Sequence, residues 1–378
     1  MAKLKNPFVV YGYKGPEYFC DRAEESRKLI SALENERNVT LVAPRRMGKT
    51  GLIHHAFHTI RQQKDEGTRC FYIDLLPTKN LEQMVQLFAQ NIIGQLDTPT
   101  QSVIRRLTDF FSAWRPVLSY DQLTNLPTVT LDIRPNEGEQ TLKQIFEYMR
   151  ISGKRCYVAI DEFQQILNYE NGSNVEAMLR SYIQFLPNVY FIFAGSRQHM
   201  LEQMFTAVNR PFFQGAQLMT LKVIDADTYY AFASHFFEQQ GRQLPQQLFQ
   251  ELYNRVDGVT WYIQILLNRM YEQKDSELNE ALLNQVTSDI VDEQSGVFSN
   301  YYQPLTPIQG QLLKAIAHEH HITSPYATEF LVRYQLGAAS SVSSALQSLI
   351  DKELVYHSAQ GYVVYDRFFG EWLRRITM

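Results

Sequence analysis

Val39-Thr-Leu-Val-Ala-Pro-Arg-Arg-Met-Gly-Lys-Thr50 decides how the rest of the chain is read. Val39 to Ala43 make a short β-rich run that Pro44 ends, and a helical pattern follows over about 51–64. The segment between them departs from the spacing G-x-x-x-x-G-K-[ST] only in having Ala43 for the first glycine. A loop so placed turns its backbone N–H groups, from about Arg46 to Thr50, toward one point where phosphate oxygens can bind. The following helix adds the positive end of its dipole. Gly48 allows close backbone approach. Lys49 is long enough to span two neighbouring phosphates, and the Thr50 hydroxyl can ligate Mg2+.

Working outward, further β-rich runs recur at Cys70–Leu75, Cys156–Ile160, Val189–Ala194 and Gln217–Val223, with helices expected at 80–95 and 173–186. Continuous apolar strands alternating with amphipathic helices predict an α/β parallel sheet covered on both faces. Leu96–Glu137 interrupts this rhythm with four prolines and the alternating run Thr128–Ile133, and reads as a helical insertion followed by a strand or hairpin. From Asp225 the pattern is wholly helical, as in a small bundle. Beyond Pro304 and Pro307, three helices and a hairpin turning at 357–361 give the layout of a winged helix-turn-helix. The expected domains are therefore 1–224, with the insertion at about 96–137, then 225–303 and 304–378.

Cys156-Tyr-Val-Ala-Ile-Asp-Glu162 is a second, independent feature, a buried strand ending in two acids. Carboxylates at the C-terminal tip of a parallel strand face the crevice where such sheets bind ligands. Asp161 is placed to hold Mg2+ through its water shell, and Glu162 to polarise an attacking water. The next strand ends in Phe193-Ala-Gly-Ser-Arg197, which puts Ser196 where it can sense a terminal phosphate, with Arg197 near the same place.

In this order these residues resemble P-loop ATPases with a catalytic glutamate, the group that includes AAA+ and STAND proteins, and within it the archaeal-type branch. The loop is similar to that branch's G-P-R-R-x-G-K-[ST] through Pro44, Arg45, Arg46, Met47, Gly48, Lys49, Thr50 and the adjoining Gly51. Phe19-Cys-Asp-Arg22, followed by Glu25 and Leu29, resembles its F-x-x-R-x-x-E-x-x-x-L segment, which in relatives lies beside adenine. Ile160–Phe163 and Ala194–Ser196 match its metal-acid and sensor strands. The resemblance implies a sheet of order 5-1-4-3-2, a helical lid and a C-terminal winged helix. It also implies ATP and Mg2+ as ligands and a nucleotide-driven switch. Intrinsic turnover is expected to be slow, because an external arginine or partner is needed to complete the site, and a nucleotide-dependent oligomer is one working form. Relatives carry G-G-x-P after the lid, where this chain reads Asp257-Gly-Val-Thr260. Their Gly-Arg pair after the sensor helix is displaced here to Arg210, the candidate arginine finger.

Composition narrows the partner classes. The 378 residues suit two or three domains of roughly 150 each, and the net charge of −4 excludes a polybasic coat for nucleic acid. Cys20, Cys70 and Cys156 form no CxxC pair, which points to a reducing, cytoplasmic setting. No apolar run is long enough to span a membrane. Over Leu305–Met378 six basic residues balance six acidic ones, and the third helix of the winged helix has no Lys or Arg before Lys352. The counterion release that dominates DNA affinity would be small there. A protein partner is favoured, and a nucleotide-gated DNA-binding regulator is the alternative. His54, His55 and His58 lack the glutamate of a zinc-protease helix. Phe368, Phe369 and Trp372 at helical spacing read as core.

Overall fold

The computed structural model describes residues 4–63, 67–96, 116–120, 127–131, 137–358 and 360–376. Its central sheet contains β1 (Val39–Val42), β2 (Thr68–Asp74), β5 (Arg155–Asp161), β6 (Val189–Gly195) and β7 (Gln217–Thr220). The hairpin β3 (Pro116–Tyr120) and β4 (Pro127–Leu131) lies between β2 and β5 in sequence. The sheet order is β2-β5-β6-β1-β7, and every pairing is parallel. Numbered by sheet members alone this is 2-3-4-1-5, the expected order read from the other edge. The strand ending in Gly195 thus lies between the loop strand and the acid strand.

Burial explains why these runs become central strands. All four residues of β1 are buried, and Cys156 to Ile160 of β5 are fully enclosed. A strand covered on both faces must be apolar throughout. The helix Leu81–Leu96 adds Met84, Val85, Phe88 and Ile92 to one core, and the helix Gly138–Ile151 adds Leu142, Ile145, Phe146 and Met149. The sequence expectation placed no helix over 138–151. The expected helical part of the insertion lies outside the described residues, whereas Thr128–Leu131 does fall in the hairpin strand β4.

The chain divides into two compact units, Val9–Tyr229 and Met1–Phe8 with Tyr230–Met378. In the second, the N-terminal segment is held by its own polar contacts. Asn6 Nδ2 donates to Asn268 O at 2.9 Å, and Asn268 Nδ2 to Phe8 O at 2.7 Å. Helices Gln246–Arg255, Thr260–Glu272 and Glu280–Tyr302 form the bundle. Pro307 opens the next helix, where Thr306 and Gln309 form a reciprocal capping box, so the proline occupies the position where its missing N–H costs nothing. Helices Pro307–Glu319, Thr328–Arg333 and Ala339–Asp351 precede the antiparallel pair β8 (Val355–Ser358) and β9 (Gly361–Val364). Ile322 bridges to Tyr362 beside that pair. Phe368 and Phe369 are each 1% exposed and pack against Tyr262 and Phe298, as core residues do. Among the described residues no helix is long and apolar enough to cross a membrane.

Asp257 has a backbone φ of 52°. Aspartate tolerates that left-handed conformation better than most residues. Its carboxylate lies 2.7 Å from Arg367 Nε and 3.0 Å from His321 Nε2, which ties the turn to the last helix and to the start of the hairpin region.

Candidate functional site

The C-terminal ends of β2, β5, β6 and β1 lie along one edge of the sheet, since all four run parallel and Asp74 pairs with Asp161 while Val42 pairs with Gly195. The phosphate-type loop leaves β1 at this edge. Arg46 and Gly48 have φ of 69° and 90°, and such alternation turns successive N–H groups inward as an anion-binding nest. The helix Lys49–Gln63 starts directly behind it.

Lys49 is 7% exposed, and its Nζ donates to Ala43 O at 2.8 Å and Pro44 O at 3.0 Å. Burial lowers its pKa from 10.5 to about 8, against the opposing pull of Asp161 and Glu162. Thr50 Oγ1 donates to Asp161 Oδ2 at 3.0 Å, and Tyr72 from β2 donates to the same oxygen at 2.6 Å. The other oxygen, Oδ1, accepts the Glu162 N–H at 2.9 Å. Hydroxyl and carboxylate oxygens in this pairing are hard donors of the kind Mg2+ prefers. The donor set therefore fits that ion.

Glu162 sits just past the end of β5 with φ of 52°, a conformation that a residue with a side chain adopts at a cost and that recurs at functional sites. Its Oε2 accepts three hydrogen bonds, from Ser196 Oγ at 2.8 Å, Ser196 N at 3.3 Å and Gln164 Nε2 at 2.5 Å. Arg45 Nε in turn donates to Ser196 Oγ at 3.2 Å. One chain of contacts thus runs from the loop through the tip of β6 to the acid after β5.

Phe19, Arg22, Met47 and Gly51 form a second group. Arg22, 3% exposed, donates through Nη2 to Met47 O at 3.3 Å and pairs with Glu25 at 2.8 Å. A Cβ on Gly51 would lie 3.3 Å from Phe19 Cε2, so the glycine lets Phe19 lie close against the helix. Phe19 stacks on His55 with centroids 4.4 Å apart, and Tyr13 Oη meets His55 Nδ1 at 2.9 Å. The helix histidines are thereby accounted for by aromatic packing, His54 lying 4.6 Å from Tyr72. Burial lowers the pKa of both His54 and His55.

Arg210 engages a different partner. Its Nη2 lies 2.7 Å from Glu176, a fully buried carboxylate on the helix Gly172–Ile183. Burial raises the Glu176 pKa and Arg210 opposes that rise.

Sequence reasoning did not single out Tyr72, Asp74 or Gln164. Asp74 stands beside Asp161 in the sheet register, and its pKa is raised, mainly by burial and further by Asp161 and Glu162. A polar residue at the last position of β2 was the available signal for it. Gln164 carried only its spacing, two residues past Glu162.

A family model described as ATPase domain predominantly from Archaea matches residues 19–266, and a winged helix domain model matches residues 296–375. No curated protein matches the chain at a significant level. Among solved structures the chain is similar to a Walker-type ATPase of Pyrococcus abyssi, with TM-score 0.66 and 18% identity over 97% of this chain and 99% of that one. It is also similar to the ORC2 protein of Aeropyrum pernix in ADPNP and ADP complexes, with TM-score 0.59, 16% identity and 98% of each chain covered. The ORC1 protein of the same organism in complex with DNA has TM-score 0.53 and 13% identity, over 98% of this chain and 96% of that one. At these identities the structures establish the shared P-loop fold with its C-terminal winged helix. The family model spans the loop, both acids and the β6 tip, and the chain is an ATPase that belongs to the family of ATPase domains predominantly from Archaea.

Proposed function

We propose that this ATPase is Mg2+-dependent and that its nucleotide cycle drives a conformational switch, of the STAND kind, acting on a protein partner in the cytoplasm. The observation that carries the hydrolytic part is the hydrogen-bonded set Arg45, Ser196 and Glu162 together with the Asp161–Thr50 pair, which link both acids to the loop and the start of its helix. The loop from Pro44 to Gly51 would cradle the phosphates, with Phe19 and Arg22 on the base side. Lys49 would exchange its two loop carbonyls for phosphate oxygens and so gain charged partners. Thr50 and Asp161 would hold Mg2+, which neutralises charge on the phosphate oxygens. Glu162 has Oε2 fixed by three donors, while Oε1 accepts no hydrogen bond among the described residues. That free oxygen is the one to take a proton from an attacking water. Ser196 lies between Glu162 and Arg45, where it can report on a terminal phosphate. Phosphoryl transfer needs positioning and charge stabilisation more than covalent chemistry, so this set suffices for slow turnover.

The partner reading rests on the winged helix. The exposed face of the helix Ala339–Asp351 carries Ser340, Ser341, Ser343, Ser344, Gln347 and Asp351, with no basic side chain. Such a surface releases no counterions from DNA and suits a protein contact better. The three described cysteines are buried free thiols, in keeping with a reducing compartment.

The test is turnover of ATP with Mg2+ by purified protein. Lys49→Ala should lose nucleotide binding, whereas Glu162→Gln should bind ATP and turn it over about a hundredfold to ten-thousandfold more slowly, as expected for loss of a general base. Wild-type protein that neither binds nor hydrolyses ATP overturns the proposal. Salt-dependent retardation of duplex DNA by the full chain would move the partner assignment to DNA.

A further inference from the structure

Gln164 lies on the short helical turn Phe163–Asn168 that follows Glu162, and it is 4% exposed. Its Nε2 donates to Glu162 Oε2 at 2.5 Å, the oxygen that Ser196 also holds. Its Oε1 is buried and has no hydrogen-bond partner. The opposite amide orientation would set that oxygen against a carboxylate oxygen, so the geometry allows only the donor to face Glu162. A buried, unpaired amide oxygen carries a desolvation cost, and an apolar side chain would avoid it. A glutamine kept at such a cost is explained by what its other atom does.

The room for Gln164 comes from Gly195, the last residue of β6. A Cβ there would stand 1.9 Å from Gln164 Oε1 and 3.3 Å from Leu201 Cδ2. Gly195 shows no positive φ, so its backbone does not require glycine. The space beside it does.

We infer that Gln164, seated in the space left by Gly195, is the positioning residue that holds the Glu162 carboxylate with one oxygen anchored and the other turned out to react. The inference rests on the assignment of Glu162 as the water-polarising acid. Ser196 grips Oε2 from the strand side and Gln164 from the helical turn, so the carboxylate is gripped from two elements. Removing one grip lets it rotate away from the attacking water without touching the phosphate loop.

The experiment compares Gln164→Ala, Gln164→Met and Gly195→Ala with wild type, measuring the Kd of a fluorescent ATP analogue, steady-state kcat and KM, and thermal unfolding. Methionine fills the glutamine's volume with no donor, and Gly195→Ala leaves Gln164 in the sequence while pushing its amide aside. All three should bind nucleotide with wild-type affinity and unfold as folded proteins, while kcat falls roughly tenfold to a hundredfold, the cost of misplacing a reacting group by about 1 Å. Gln164→Met at wild-type kcat would reduce the residue to packing and overturn the inference. A rise in kcat would make the contact a brake and overturn it equally. Glu162→Gln is run alongside as the separate control. If it turns over like wild type, the assignment of Glu162 itself fails, whatever the Gln164 variants do.

Discussion

Nucleotide binding should be accompanied by proton uptake, because Lys49 in the free protein is poised near neutrality. Lys49 is 7% exposed, its amine has only carbonyl hydrogen-bond partners among the described residues, and burial holds its pKa at about 8. At that value about one Lys49 in eleven is neutral at pH 7, half at pH 8 and about ten in eleven at pH 9. A polyphosphate in the loop supplies the opposite charge that restores the ammonium. Binding should then take up roughly 0.1 proton at pH 7, 0.5 at pH 8 and 0.9 at pH 9. Apparent affinity for ATP should fall about tenfold between pH 7 and pH 9, or about 1.4 kcal/mol. Titration calorimetry in buffers of low and high ionisation enthalpy reads the proton count directly. Lys49→Arg stays charged throughout, so any binding it retains should show no uptake over this range. For the free protein the sign is opposite to that of a paired lysine. The folded pKa lies below the unfolded one, so the cost of the buried ammonium is fully present below pH 8. It is relieved as pH rises from 8 toward 10.5, by up to about 3 kcal/mol. Affinity independent of pH, with no proton uptake from pH 7 to 9, would refute the reasoning, because Lys49 would then be charged before nucleotide arrives.

Two further outcomes follow from contacts around the acids. Tyr72→Phe removes one of the two hydroxyls donated to Asp161 Oδ2, and the Mg2+ concentration giving half-maximal turnover should rise about tenfold, as outer-shell losses do. Unchanged Mg2+ dependence would show that Thr50 and the Glu162 N–H orient the carboxylate without Tyr72. Arg210→Ala leaves the fully buried Glu176 without its cation and should destabilise the fold by about 3 kcal/mol in denaturant unfolding. Adding Glu176→Gln should restore most of that loss, and the stable double variant then allows partner-stimulated turnover to be measured. A drop in turnover in that background would give Arg210 a role at the nucleotide, and wild-type turnover would leave it a clamp on the helix Gly172–Ile183.

What was legible in the sequence is what chemistry forces onto neighbouring residues. Lys49 and Thr50 are adjacent because one loop must present both, and Asp161 and Glu162 are adjacent because one strand tip carries both. The apolar run Cys156–Ile160 could be read as central because only a doubly covered strand is apolar at every position. The helix Gly138–Ile151 was legible as well, with Leu142, Ile145, Phe146 and Met149 on one face. The expectation for the insertion stopped at Glu137 and passed over it. The partners of the predicted residues were hidden for a different reason. Glu176 is 34 positions from Arg210, and Asp257 is more than 60 from His321 and more than 100 from Arg367. No local pattern encodes such pairs.

Gln164 marks the boundary between the two cases. It is close to Glu162 in sequence, yet spacing alone says nothing about contact, because two residues along a regular strand would face the same way and two along a helix would not. The contact arises because Glu162 takes φ of 52° and breaks the strand, so the chain folds back over its own carboxylate. It also requires the missing side chain at Gly195, on a strand that reaches this edge only through the sheet order β5-β6-β1. A left-handed glutamate, a glycine 33 residues away and a glutamine between them make one device only after the sheet has formed. The reacting groups of such a site can be named from a single stretch of sequence. The groups that aim them are fixed by topology, and Gly195→Ala tests that dependence by disturbing the aim without altering any reacting atom.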